Sequence, residues 1–122
     1  MTSPSTDRRY GVNSSMAFKV PALVATTANL TLEDEQTIDG VACVTGDRVL
    51  VKDQTDTTEN GVYDVDTGEW QRSVDFDGTR DIAQGTLLFV ISGATNKGLW
   101  YVSTADPEID SALAFTLALA IA

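Results

Sequence analysis

The sequence predicts an all-β fold, a compact antiparallel β-sandwich or small barrel of short strands, with an extended N-terminal arm and a C-terminal apolar strand. Three observations carry this. Short apolar and β-branched runs recur along the chain, such as Val49-Leu50-Val51 and Leu87-Leu88-Phe89-Val90-Ile91. Turn formers separate them, among them Asp39-Gly40, Asn60-Gly61 and Asp66-Thr67-Gly68. Finally, Leu113, Phe115, Leu117, Leu119 and Ile121 alternate strictly with small residues, the period of a strand and not of a helix.

Taken in order, residues 1–22 hold two of the three prolines and show no hydrophobic period of 2 or 3.6, so they read as an arm. Arg8, Arg9 and Lys19 outnumber Asp7 there, which makes the arm basic and the rest of the chain acidic. Two readings follow: an arm that lies on a neighbouring copy of the acidic body, or a disordered tail. Residues 23–122 form the β domain. Leu30-Thr31-Leu32 alternates as a strand does, Glu33-Asp34-Glu35 reads as a solvated turn, and Val41 to Val44 as a short strand.

The centre of the prediction is the hairpin from Gly46 to Val65. Val49-Leu50-Val51 suits a strand with both faces at least partly covered, and Val62, Tyr63 and Val65 form its antiparallel partner. Asn60-Gly61 supplies the positive φ of a tight reversal, and the polar loop 53–60 is expected at the surface. A strand at Glu69 to Arg72 follows, with Trp70 in the core. The irregular stretch 73–84 comes next. Thr86 to Ile91 is expected to be the innermost strand, because its apolar run is unbroken. Leu99 to Val102 returns from the loop 92–98 as a second hairpin.

The segment 111–122 has no charge and no polar face. Exposed, it would be an aggregation hazard, so burial against another subunit is inferred, the alternative being that it completes the domain's own sheet. The candidate partner-binding residues are therefore Arg8, Arg9, Tyr10 and Phe18 of the arm and Leu113, Phe115, Leu117, Leu119 and Ile121 of the tail.

Composition narrows the function. Eight basic against eighteen acidic side chains give a net charge of −10, which opposes nucleic acid and anionic membranes. The chain has no histidine, which excludes Ser-His and Cys-His mechanisms and removes the commonest metal ligand. Its single cysteine, Cys43, between Ala42 and Val44, reads as a small buried apolar residue. No run approaches the about 18 to 20 apolar residues of a membrane span, and the first residues lack a signal-peptide core, so synthesis in the cytoplasm without Sec export is expected. Asn13-Ser14-Ser15 and Asn29-Leu30-Thr31 are then chance sequons.

Asp75-Phe76-Asp77-Gly78 resembles a piece of a calcium loop, but the twelfth position is Thr86 where a closing glutamate is required, so no metal or cofactor is expected. Trp70, Trp100, Tyr63 and Tyr101 are the aromatics a sugar-binding site would draw on, and each also sits in a strand pattern. The pairs Asp75/Asp77 and Asp64/Asp66 share a face on a strand, as hydrolytic carboxylates must. Both abut glycine turns, where aspartate serves turn chemistry, and the expectation is no enzyme activity.

The series ATTANLTL, QTIDGV, GDRVLVKDQTD, ENGVYDV, GEWQRSVDFDGTRD and ISGATNKGLWYVSTADP resembles a small β module of tailed-bacteriophage and prophage proteins, common in tail-fibre or tailspike chains. The likeness covers Leu23 to Phe115 and extends loosely to RYGVNSSMAF, Arg9 to Phe18. It implies a non-enzymatic, fibre-like or attachment accessory protein of the virion. The implied partners are its own copies, as a homotrimer or other homo-oligomer, and other virion proteins. Its short length is closer to head-decoration or collar proteins, which clamp neighbours with extended arms.

Overall fold

Val49, Leu50 and Val51 lie at the centre of the molecule, fully buried, in a computed structural model that describes residues 18–78 and 81–120. Nine short strands occur among the described residues: β1 (Val24–Ala25), β2 (Thr37–Ile38), β3 (Val41–Ala42), β4 (Arg48–Val51), β5 (Gly61–Asp64), β6 (Gln71–Arg72), β7 (Leu87–Val90), β8 (Gly98–Val102) and β9 (Phe115–Ala120). Two 3₁₀ turns, Thr57–Glu59 and Val74–Phe76, are described in full and Asp81 is also in 3₁₀ conformation; no helix among the described residues is long and apolar enough to cross a membrane. The fold is all-β, as the sequence predicts.

The strands form a four-stranded sheet in the order β1-β4-β5-β6, a three-stranded sheet β9-β8-β7 and the small hairpin β2-β3. The sheets remain open, so the sandwich and not the barrel is formed. Pairing is antiparallel except for β1, which runs parallel to β4 with Val24 opposite Val49.

Side-chain alternation along β4 and β5 builds two cores. Leu50 and Val62 face the three-stranded sheet and join Phe76, Leu88, Val90, Trp100, Val102 and Leu113 between the two sheets. Val49, Val51 and Tyr63 face the other way and pack with Ile38, Cys43, Val65 and Trp70 under the β2-β3 layer. The four-stranded sheet is thus covered on both faces. At about 1.5–3 kcal/mol for each large apolar side chain removed from water, these layers dominate the favourable side of folding.

That arrangement corrects the expectation for Thr86 to Ile91. The innermost strand is β4, whereas β7 lies at one side of its sheet with Leu88 and Val90 buried, Leu87 and Phe89 half-buried and Ile91 48 % exposed. An unbroken apolar run does not reveal how well each face is covered. The second hairpin, β7-β8, has the expected register, from Leu87 opposite Tyr101 to Val90 opposite Gly98.

The central hairpin also forms, with Arg48 opposite Asp64 and Val51 opposite Gly61, but Asn60-Gly61 does not make its reversal. The 3₁₀ turn Thr57–Glu59 does, with Asp56 Oδ1 accepting from Thr58 N, while Asn60 is extended (φ −65, ψ 149). Gly61 is needed for space: a Cβ there would run into the Arg72 guanidinium. Most of the loop is at the surface as expected, yet Gln54 and Asn60 are buried because each amide is bonded on both its oxygen and its nitrogen. Leu30-Thr31-Leu32 is not a strand. Leu30 and Leu32 pack on the second core, and the nearest pairing is a bridge between Glu33 and Glu69.

The expected boundary at residue 22 falls inside packed structure. Lys19 N donates to Leu87 O and Ala22 N to Phe89 O, both at 2.9 Å, so residues 19–22 run along the free side of β7. Residues 1–17 of the arm lie outside the described residues.

Candidate functional site

The feature that the domain does not use up is the open side of β9. The chain reaches it through an anchored return from β8. Leu113 is 2 % exposed in the inter-sheet core; its N–H donates to Thr57 O at 3.2 Å and its carbonyl accepts from Asn60 Nδ2 at 2.9 Å. Ala114 N donates to Thr104 Oγ1, and Ser103 N donates to Ala114 O. Upstream, Arg72 Nη2 donates to Asp110 Oδ1 at 3.1 Å, and Asp106 and Asp110 take positive φ values of 47° and 68° to bend the connection.

From there β9 pairs antiparallel with β8, Phe115 opposite Val102 and Leu117 opposite Trp100. Both partners are buried, which places Phe115 and Leu117 on the core side, and Phe115 sits 6.0 Å from the Phe76 ring. A bulge then intervenes, and Leu119 falls opposite Leu99. An extra residue on one strand turns the following side chains to the other face. The strict alternation in the sequence therefore does not give a single large-residue face: Leu117 lies on the inner side and Leu119 on the outer.

Exposure rises along the tail, from 2 % at Leu113 to 40 % at Leu117 and 60 % at Leu119. Directly opposed residues share a sheet face, so the pairs Phe89–Leu99–Leu119 and Leu87–Tyr101–Thr116 make up the outer face of this sheet. It bears no charged side chain, and Leu87, Phe89, Leu99 and Tyr101 are only half-buried. Sequence reasoning missed this face because it assigned the β7 run to a doubly covered strand.

The tail thus completes the domain's own sheet and still leaves two leucines in water. Of the other predicted contact residues, Phe18 is 63 % exposed at the β7 side of the sheet, with β8 between it and β9, so the structure does not bring it to the tail. Arg8, Arg9, Tyr10 and Ile121 lie outside the described residues.

Three of the four carboxylates considered for chemistry, Asp75, Asp64 and Asp66, are engaged in local structure, and Asp77 contributes its backbone N–H. Asp75 pairs with Arg48 at 2.7 Å, Asp64 Oδ1 accepts from Ser73 Oγ at 2.6 Å, Asp66 Oδ1 accepts from Gly68 N, and Asp81 Oδ2 accepts from the Asp77 and Gly78 N–H groups. Among the described residues no group of three acids or cysteines is placed to hold a metal ion. Asp39 pins the β7-β8 loop to the β2-β3 turn. Burial pushes its carboxyl upward, but donors from Thr95, Asn96 and Ala94 outweigh this and hold it below the usual carboxylate range.

Three of the four aromatics are likewise committed, while Tyr101 lies half-buried on the outer face. Trp70 and Trp100 are buried and donate their indole N–H to Asp34 O and Asn96 O, and the Tyr63 hydroxyl donates to Glu59 O. Lys52 Nζ lies 4.9 Å from the Trp100 ring centroid. Cys43 is buried, and burial followed by the nearby Asp47 carboxylate pushes its thiol upward. No family model, curated protein or solved structure matches the chain.

Proposed function

We propose that the chain is a non-enzymatic structural component of a tailed-phage particle, a homo-oligomeric fibre-like or attachment accessory protein at the particle surface. The observation that supports assembly is the C-terminal strand: β9 is uncharged, sits at the side of its sheet and leaves Leu117 and Leu119 exposed. Monomeric proteins guard such strands with charge, proline or a covering segment. The phage assignment is supported by the ordered series of turn and strand motifs from Leu23 to Phe115 that resembles virion β modules. Capsid decoration or a collar role is the second reading, which an exposed apolar strand open to pairing also suits. Sugar recognition has less support, since Trp70, Trp100 and Tyr63 face the cores.

Copy number on purified particles tests the assignment. A handful of copies per particle supports the fibre or attachment role, and hundreds support decoration. Absence of the protein from particles made by a host that expresses it refutes the virion reading.

A further inference from the structure

Resting on the assembly reading above, we propose that the partner of β9 is β9 of a second copy, paired antiparallel about a two-fold axis, so that the two three-stranded sheets become one. Four observations lead there. Among the described residues one side of this sheet is open: along β7 the backbone is taken by residues 19–22, whereas no described residue bonds to the outward side of β9. Neither charge nor proline guards that side, because residues 111–122 contain none of either.

The two exposed leucines lie on opposite faces of β9, one on each side of the bulge. A partner stacked on either face would leave one of them in water. A strand added to the open side covers both, and in a second copy of Phe115–Ala120 the alanines at 118 and 120 leave room for the opposing leucines. Finally, each chain carries a net charge of −10, so two copies repel one another over most of their surfaces and approach most easily through an uncharged one.

The same topology fixes the stoichiometry. Among the described residues each three-stranded sheet offers a single open side, and pairing consumes it, so the assembly closes at two and does not grow into a ring or fibril through these strands. The contact is short. Six residues at about 3.4 Å each make a strip of roughly 20 Å, at the small end for a specific interface, so dimerisation in free solution is expected to depend on concentration.

Sedimentation equilibrium of the full chain from about 10 µM to about 1 mM, with amide hydrogen exchange at both ends of the range, tests this. The expected mass rises from 13.0 kDa toward twice that value, and β9 amides exchange more slowly as it does. Leu119→Lys, at a solvent-facing position, is expected to keep the thermal melt of the parent and to weaken dimerisation by about tenfold or more, since like charges would be brought close across the axis. Arg8→Glu, Arg9→Glu and Tyr10→Ser combined are expected to leave the dimer intact; loss of association in that variant would make the arm the occupant and overturn the proposal. A trimer, or a dimer without slowed β9 amides, refutes the two-fold strand pairing and leaves assembly standing. A monomer at the highest concentration, unchanged by any variant, refutes both.

Discussion

Asn60→Asp probes the contact that seats the C-terminal strand. Asn60 is 2 % exposed, and its amide is used at both ends: Oδ1 accepts from Gln54 N at 3.0 Å and Nδ2 donates to Leu113 O at 2.9 Å. The substitution keeps the shape and the first bond. It replaces the second with an ionised oxygen facing a carbonyl oxygen. Losing the bond and leaving the buried Leu113 carbonyl unpaired costs about 1–3 kcal/mol, and burying the charge adds to it, for a total of about 3–5 kcal/mol at neutral pH. That is a large part of the about 5–15 kcal/mol that a small domain has. The penalty is pH-dependent with a definite sign. Burial and the facing carbonyl raise the introduced carboxyl above its unfolded value of about 3.9. Below that value it is protonated in both states, and its hydroxyl can donate to Leu113 O, so the variant approaches the parent. As pH rises through the raised folded pKa the deficit grows, then levels off. Urea denaturation followed by tryptophan fluorescence at several pH values measures it. A variant within about 0.5 kcal/mol of the parent at pH 7 would refute the role given to Asn60.

Gly93→Ala forces a φ of +109° on an L residue and sets its Cβ 2.5 Å from Asp39 Oδ2, so a loss of about 1–3 kcal/mol by calorimetry is expected; an unchanged melting temperature would contradict it. Asp39 has a folded pKa held down by its loop donors, so its contribution is present above about pH 3.9 and is lost as pH falls through the lower folded value. Asp39→Asn should therefore lower stability at neutral pH and flatten the acid-side decline, and parallel acid profiles for parent and variant would exclude this. The buried Cys43 thiol, pushed upward by desolvation, should react with thiol reagents only as fast as the domain opens. Labelling of the native protein at the rate of a free thiol would refute that.

How far the fold could be read from the sequence depended on whether the information was local. The hairpin at Arg48–Val51 and Gly61–Asp64, the Asp39-Gly40 turn and the burial of Trp70 and Cys43 follow from runs of a few residues. The role of Asn60 was misread, because Asn-Gly is a turn signal only when nothing competes for the side chain. Here the Leu113 carbonyl, distant in sequence, claims it and holds the backbone extended. The layer order was hidden for the same reason. Val49-Leu50-Val51 and Leu87-Leu88-Phe89-Val90-Ile91 look alike, and only the arrival of the β2-β3 layer over the first makes it the more deeply buried. The bulge in β9 is invisible in a perfectly alternating sequence, yet it decides which face Leu119 occupies.

That bulge bears on why such a strand would be retained in a protein with the assembly role proposed above. A continuous alternation would have put Leu119 beside Leu117 on the core side and left the outer face to alanine. Instead the domain keeps Leu113 and Phe115 for its own core and presents one leucine on each side of an open strand. At 40 % and 60 % exposure these two side chains have about 1 kcal/mol each still to gain from burial, so a pair of copies gains about 4 kcal/mol of apolar free energy, plus whatever the backbone bonds add. Association costs about 4–15 kcal/mol in lost freedom. With the backbone bonds of the paired strands added at about 0.5–1.5 kcal/mol each, the balance for free molecules is a weak association, within reach of the millimolar end of the sedimentation range. It strengthens where a scaffold holds copies side by side, since tethering raises the effective concentration into the millimolar range. On the proposed role, a strand tuned this way stays separate while the protein is dilute and pairs where an assembly gathers its copies.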